Sequence, residues 1–262
     1  MKAILSTTYD DNYLFFIPIV QWCWNKLGVD CIIFAPHKIE IRVNKYYLVK
    51  DLCKKSTWEY FISPANKEAT YAQCSRLFGG ALQDISNDEI LITSDADMAI
   101  FSHDITNARS GINIWGTDLV PEKQFPICYI SASKLDWQQR FGVKGLSVQN
   151  CLDNLLGHIE AEQFRGNYWG KDQETAWNML HTSWYNDHLR ARPGTQFSTN
   201  RVDRDDSNWR HYLGPDLFDA HLWRPGYADR NFANIMELLT TQYPDENFKW
   251  LVDYRNEYIK LL

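Results

Sequence analysis

Two short apolar runs flanking one helix-sized segment set the architecture. Residues 3–8 (AILSTT) read as a buried strand, and residues 30–35 (DCIIFA) as a second, closed by Pro36. Between them YLFFIPIVQWCWNKLG, residues 13–28, carries helical apolar spacing and stops at Gly28, a favoured helix-terminating residue. Pro18 lies inside that segment, so the helix either kinks or starts near it. Strand, helix and strand at this spacing form a βαβ unit. Such a unit commits the chain to a parallel sheet with helices on its faces.

The pattern continues downstream. Residues 39–49 (IEIRVNKYYLV) alternate as a further strand would, and residues 66–83 read as a helix with Asn66 as N-cap and Gly79-Gly80 near its end. A Ser86-Asn87-Asp88 turn then leads into a strand at 89–93. Shorter strands are predicted at 112–116 and 126–131, and helices at 146–157 and at 172–189, the latter opening at Asp172. Residues 190–216 read as long loops with at most one short strand. Two helices, 231–241 and 245–261, close the chain around Tyr243-Pro244. The expectation is one α/β domain over 1–262, mostly parallel, with a C-terminal helical tail.

The strand at 89–93 runs into SDADMAIF, which sets Asp95 and Asp97 one residue apart between apolar runs. Side chains at i and i+2 share a face of an extended strand. Like charges this close repel, and burial of an unpaired carboxylate is costly. A divalent cation, magnesium or manganese, resolves the conflict and offers open positions to phosphate oxygens. The C-terminal rim of an open parallel sheet is also where ligands bind. The plainer reading places both residues in a turn, one of them capping a backbone amide.

Composition narrows the classes. A net charge of −6 lacks the basic surplus of a general nucleic-acid binder. The six cysteines show no C-x-x-C pair, which argues against structural zinc and for free thiols in a reducing, cytoplasmic compartment. No secretory leader is expected after Met1-Lys2, and no run approaches the ~20 apolar residues of a membrane span.

Four segments in chain order resemble the GT-A glycosyltransferases that use nucleotide sugars: ILSTTYDDN, the helix carrying Arg76, SDADMAIF, and DAHLWRPG at 219–226. The last is similar to the H-x-x-G-x-x-K-P signature of the glycogenin and bacterial galactosyltransferase type, with Arg224-Pro225 where Lys-Pro would stand and no middle glycine. WGKDQETAWN, 169–178, resembles that family's Asp-Gln segment at a helix start.

The resemblance implies a nucleotide-binding part over about 1–110, an acceptor-side part with the C-terminal helices over about 111–262, and a manganese or magnesium ion on Asp95, Asp97 and His221. It implies nucleotide contacts from Thr7, Thr8, Tyr9, Arg76, Asp95 and Ala96. Arg224 would meet the diphosphate, and Asp172 would act on the sugar or acceptor side. The implied reaction is hexosyl or pentosyl transfer from a nucleoside-diphosphate sugar, most frequently a UDP-sugar, to a carbohydrate or glycoconjugate acceptor hydroxyl.

Each residue also has a structural reading. Asp172 suits a helix N-cap, Asp10 and Asp11 suit caps, Arg76 suits a solvated face, and His221 suits a structural role. Trp169 and Trp223 are candidates for stacking on sugar rings. Three other functions compete. A sugar nucleotidyltransferase would carry glycine and basic residues after the first strand, which STTYDDN lacks. A non-catalytic carbohydrate- or nucleotide-binding protein would need no metal trio. A phosphohydrolase would need a third carboxylate, for which Asp104 and Asp118 are the loose candidates.

Overall fold

The structure is a computed structural model that describes residues 1–37, 44–107, 111–116, 123–157, 170–181, 189–192 (backbone only) and 200–262. Its central sheet has the order β3-β2-β1-β4-β7-β6-β8. These strands are β1 (Lys2–Ser6), β2 (Asp30–Pro36), β3 (Thr57–Phe61), β4 (Ile90–Thr93), β6 (Ile112–Trp115), β7 (Ile130–Ser133) and β8 (Leu189–Arg192). Only β7 runs against the others. A smaller sheet sets β10 (Asp219–His221) between β5 (Met98–Ile100) and β9 (Arg201–Val202).

Strand alternation explains the core. Ala3 and Leu5 point to one face of the sheet and Ile4 to the other, and all three are fully buried. The first face packs against α1 (Asp11–Leu14), α2 (Ile17–Lys26), α8 (Asp229–Gln242) and α9 (Lys249–Lys260). The second packs against α4 (Glu68–Ser75), α5 (Lys134–Arg140) and α6 (Val148–Leu156). The C-terminal helices are therefore one wall of the core. Tyr254 stacks on Phe15 with centroids 5.1 Å apart and donates its hydroxyl to the Phe15 carbonyl at 3.0 Å.

Some sequence expectations hold and others need correction. The 13–28 segment divides: Asp10 caps α1 through the Asn12 amide at 2.7 Å, and α2 starts at Ile17 with Pro18 in its first turn, where no amide is needed. Gly28 ends it at φ +75°, with the Gly28 and Val29 amides bonded back to Asn25 and Trp24 carbonyls. The strand expected over 39–49 is instead α3 (Asn44–Leu52) from residue 44, which buries Tyr46 and Val49 at helical spacing; residues 38–43 lie outside the described residues. The edge of the sheet goes to β3, whose TWEYF sequence is only partly buried.

Asn66 is not an N-cap. It sits at φ +66°, Lys67 holds the cap position, and the helix ends in a 3₁₀ turn over Arg76–Ala81. The tightening lets the chain approach α5 closely: a Cβ on Gly80 would lie 2.8 Å from Trp137 Cβ and 3.0 Å from the Gln138 nitrogen. The strand expected at 126–131 runs Ile130–Ser133, and Ser133 then caps the unanticipated α5 through the Asp136 amide at 3.1 Å. Finally, α7 (Lys171–Leu180) opens behind Gly170, so Asp172 is inside the first turn and is not its cap. Of the helix expected over 172–189, residues 182–188 lie outside the described residues.

Candidate active site

The chain builds outward from β1 to β3, then crosses back to β4. The reversal point lies between β1 and β4, and a crevice opens there at the carboxyl ends of the strands. Thr7 and Thr8 follow β1, and Asp95 and Asp97 follow β4. The two aspartates are not on one continuous strand. A turn over Ala96 and Asp97 separates β4 from β5, closed by the Met98 amide on the Asp95 carbonyl at 3.3 Å. The carboxylates consequently take different partners.

The small sheet carries the distant residues in. Met98 pairs with His221 in register, and the Leu222 amide donates to the Asp97 carbonyl at 2.8 Å. Arg201 pairs with Asp219 across β9 and β10, and its guanidinium grips that fully buried carboxylate at 2.7 and 2.6 Å. The result is a cleft of about 320 Å³. Thr7, Thr8, Arg76, Asp95, Ala96, Asp97, Asp172, His221 and Arg224 all line it. Tyr9 does not. Its hydroxyl donates to the Pro36 carbonyl and its ring meets Tyr46 edge-on.

Two charge clusters divide the cleft. At one end Asp97 Oδ2 receives Arg204 Nη1 at 2.7 Å, with His221 Nε2 at 3.3 Å and Arg224 Nε at 3.4 Å. At the other end Arg76 bonds Asp95, the Ser94 carbonyl at 3.0 Å and Asp172 Oδ2 at 3.0 Å. Thus two guanidinium groups face one carboxylate at the first end, and two carboxylates face one guanidinium at the second.

Burial by itself raises the Asp97 carboxyl. The His221 hydrogen bond and the charges of His221, Arg204 and Arg224 outweigh it and hold the pKa down at about 2. Burial pushes the Asp172 carboxyl above the usual range, Arg76 opposes this, and Asp95 adds to it. Burial also pushes the Cys128 thiol in the cleft wall up to about 11, which keeps it protonated at neutral pH.

The donor set was expected to hold a divalent ion. Octahedral ligands at roughly 2.1–2.3 Å lie about 3.0–3.3 Å apart, and the 3.3 Å between Asp97 Oδ2 and His221 Nε2 fits two adjacent positions on one ion. Asp95 is turned to Arg76, and no group of three or more His, Cys, Asp or Glu side chains is gathered as a metal site among the described residues.

Sequence reasoning missed Tyr13, Arg201 and Arg204, all of which line the cleft. No motif marked Arg204, which stands in a turn after β9 shaped by Asp203 and Asp206. Trp223 packs edge-on against Trp209 with centroids 4.6 Å apart, outside the cleft, and Asp104 sits in a 3₁₀ turn away from it. Trp169 and Asp118 lie outside the described residues.

No protein-family model matches the sequence, and no curated protein matches it. Solved structures do. The galactosyltransferase LgtC, in complex with donor and acceptor sugar analogs, aligns over 100% of both chains with a TM-score of 0.54 at 8% identity. The chain has a GT-A-like glycosyltransferase fold. An active-site mutant of LgtC aligns over 92% of this chain and 96% of its own, with a TM-score of 0.52 at 9% identity. In this GT-A-like fold the cleft lies at the rim of a mostly parallel sheet flanked by helices. No described helix is long and apolar enough to cross a membrane.

Proposed function

We propose that this chain is a metal-dependent glycosyltransferase that moves a hexosyl or pentosyl group from a nucleoside-diphosphate sugar to a hydroxyl of a carbohydrate or glycoconjugate. The carrying observation is the division of the cleft into a cationic end and an anionic end. A sugar diphosphate has the matching polarity. Its phosphates suit the Arg204 and Arg224 guanidinium groups, and its sugar hydroxyls suit the Asp95 and Asp172 carboxylates as hydrogen-bond donors. The strand-end position at the sheet's reversal point supports the same reading.

Thr7 and Thr8 border the nucleoside side of the cleft in this proposal. Asp97 and His221 would hold manganese or magnesium, which would supply Lewis-acid neutralisation of the leaving diphosphate. Arg224, hydrogen-bonded to Tyr13, adds a fixed positive charge where the leaving group gains negative charge. Arg76 holds Asp95 and Asp172 in place. Asp172, its proton affinity raised by burial, faces the transferred sugar or its acceptor. Uridine is the proposed base. The six cysteines are free thiols, which favours a cytoplasmic setting.

The test is a donor screen with manganese, reading thermal shift and slow donor hydrolysis. One sugar nucleotide, expected to be a UDP-sugar, should bind and be hydrolysed, and Asp97→Ala and Asp95→Ala should abolish hydrolysis. Unchanged binding and hydrolysis in both variants would refute the site. Binding without turnover on any acceptor would make the chain a nucleotide-binding protein instead.

A further inference from the structure

Arg204 is among the cleft side chains that no sequence motif marked. Its guanidinium makes the shortest of the three contacts to Asp97 Oδ2, at 2.7 Å, against 3.3 Å for His221 and 3.4 Å for Arg224. That oxygen is also the one placed to share an ion with His221. A cation shared by Asp97 Oδ2 and His221 would lie within a few ångström of the Arg204 guanidinium, and two positive charges that close repel strongly.

The side chain also has somewhere to go. Arg204 is 18% exposed and lines both the cleft and an adjoining cavity of about 720 Å³. The turn that carries it is anchored independently. Trp209 packs on Trp223, next to Arg224, and Arg210 pairs with Glu237 of α8. With the turn anchored by these contacts, a change of partner requires only the arginine side chain to move.

We propose that Arg204 is a partner-exchanging residue that couples cation binding to diphosphate binding, an inference that rests on the sugar-nucleotide reading above. Without nucleotide Arg204 holds Asp97 and opposes cation binding. With a nucleoside diphosphate in the cleft, the guanidinium transfers to phosphate oxygens and releases Asp97 to the ion. Each ligand then raises the affinity of the other by the same factor, as linkage requires.

The test measures Mn²⁺ affinity from the electron paramagnetic resonance of free Mn²⁺, with and without UDP, and UDP affinity by calorimetry with and without Mn²⁺. GDP serves as the second nucleotide probe. In Arg204→Ala, Mn²⁺ alone should bind about tenfold tighter, UDP in saturating Mn²⁺ about tenfold weaker, and the mutual enhancement should fall by up to about tenfold. Arg204→Lys, which keeps the charge without the planar fork, should show the same shifts in smaller size and guards against loss of folding in the alanine variant.

Wild-type protein that binds neither UDP nor GDP in Mn²⁺ would overturn the reading of the cleft itself. Nucleotide binding by wild type, with Mn²⁺ affinity in both variants within twofold of wild type or weakened along with UDP affinity, would overturn the exchange alone.

Discussion

Replacing Asp97 with asparagine isolates the electrostatic core of the cleft. The substitution keeps the shape and removes the charge that Arg204, Arg224 and His221 surround. The carboxyl is 6% exposed and its pKa is lowered from 3.8 to about 2, so its ionised form stabilises the fold by roughly 2 to 3 kcal/mol at pH 7. At about 2.1 cal/mol/K of unfolding entropy per residue, a chain of 262 residues should lose about 4–5 °C in Tm.

The sign of the pH dependence follows from the depressed pKa. The contribution is complete above the unfolded value of 3.8, persists from neutral pH down to about pH 5, and is lost as pH falls towards 2. About half should remain at pH 3. Urea unfolding of both proteins at pH 7, 5 and 3 reads the difference, since titrating groups that do not touch Asp97 cancel. An Asp97→Asn protein as stable as wild type at pH 7, or a gap that does not shrink by pH 3, would refute the claim that these three groups outweigh the burial of the carboxylate.

Other outcomes follow from the same contacts. Arg76→Ala leaves the buried Asp172 without its guanidinium and should cost about 3–5 kcal/mol at pH 7 in urea unfolding. The deficit should narrow towards pH 4, because protonation removes the unpaired charge. Asp219→Ala strands Arg201 beside a fully buried position and should cost a similar ~3–5 kcal/mol, and pairing it with Arg201→Met should recover much of that loss in a double-mutant cycle. Gly80→Ala drives a methyl into the Trp137–Gln138 backbone and should destabilise by roughly 1–3 kcal/mol by thermal melting. Gly142→Ala meets open space at φ +62°, and should cost only the left-handed backbone strain of about 1–2 kcal/mol.

Local chemistry made much of the fold legible. The strands at 2–6, 30–36 and 90–93, the stop at Gly28 and the two terminal helices follow from apolar spacing and capping residues, which act within a few positions along the chain. The acidic pair was visible for the same reason, since its setting after an apolar strand is a local feature. Tyr9 was misplaced because adjacency to Thr8 says nothing of side-chain direction, and its ring turned to Tyr46. Asp172 read equally well as a cap until Gly170 took that position.

What the tertiary structure alone decided is which charges meet. Asp95 goes to Arg76 and Asp97 to His221, Arg204 and Arg224 because a turn parts them and the register of β5 on β10 brings His221 beside Asp97. No periodicity in the sequence encodes that register, and Arg204 in its loop carries no pattern at all. Charges are paired by long-range strand pairing and burial, so the polarity of the cleft belongs to the folded chain, while the elements that frame it were already written in local order.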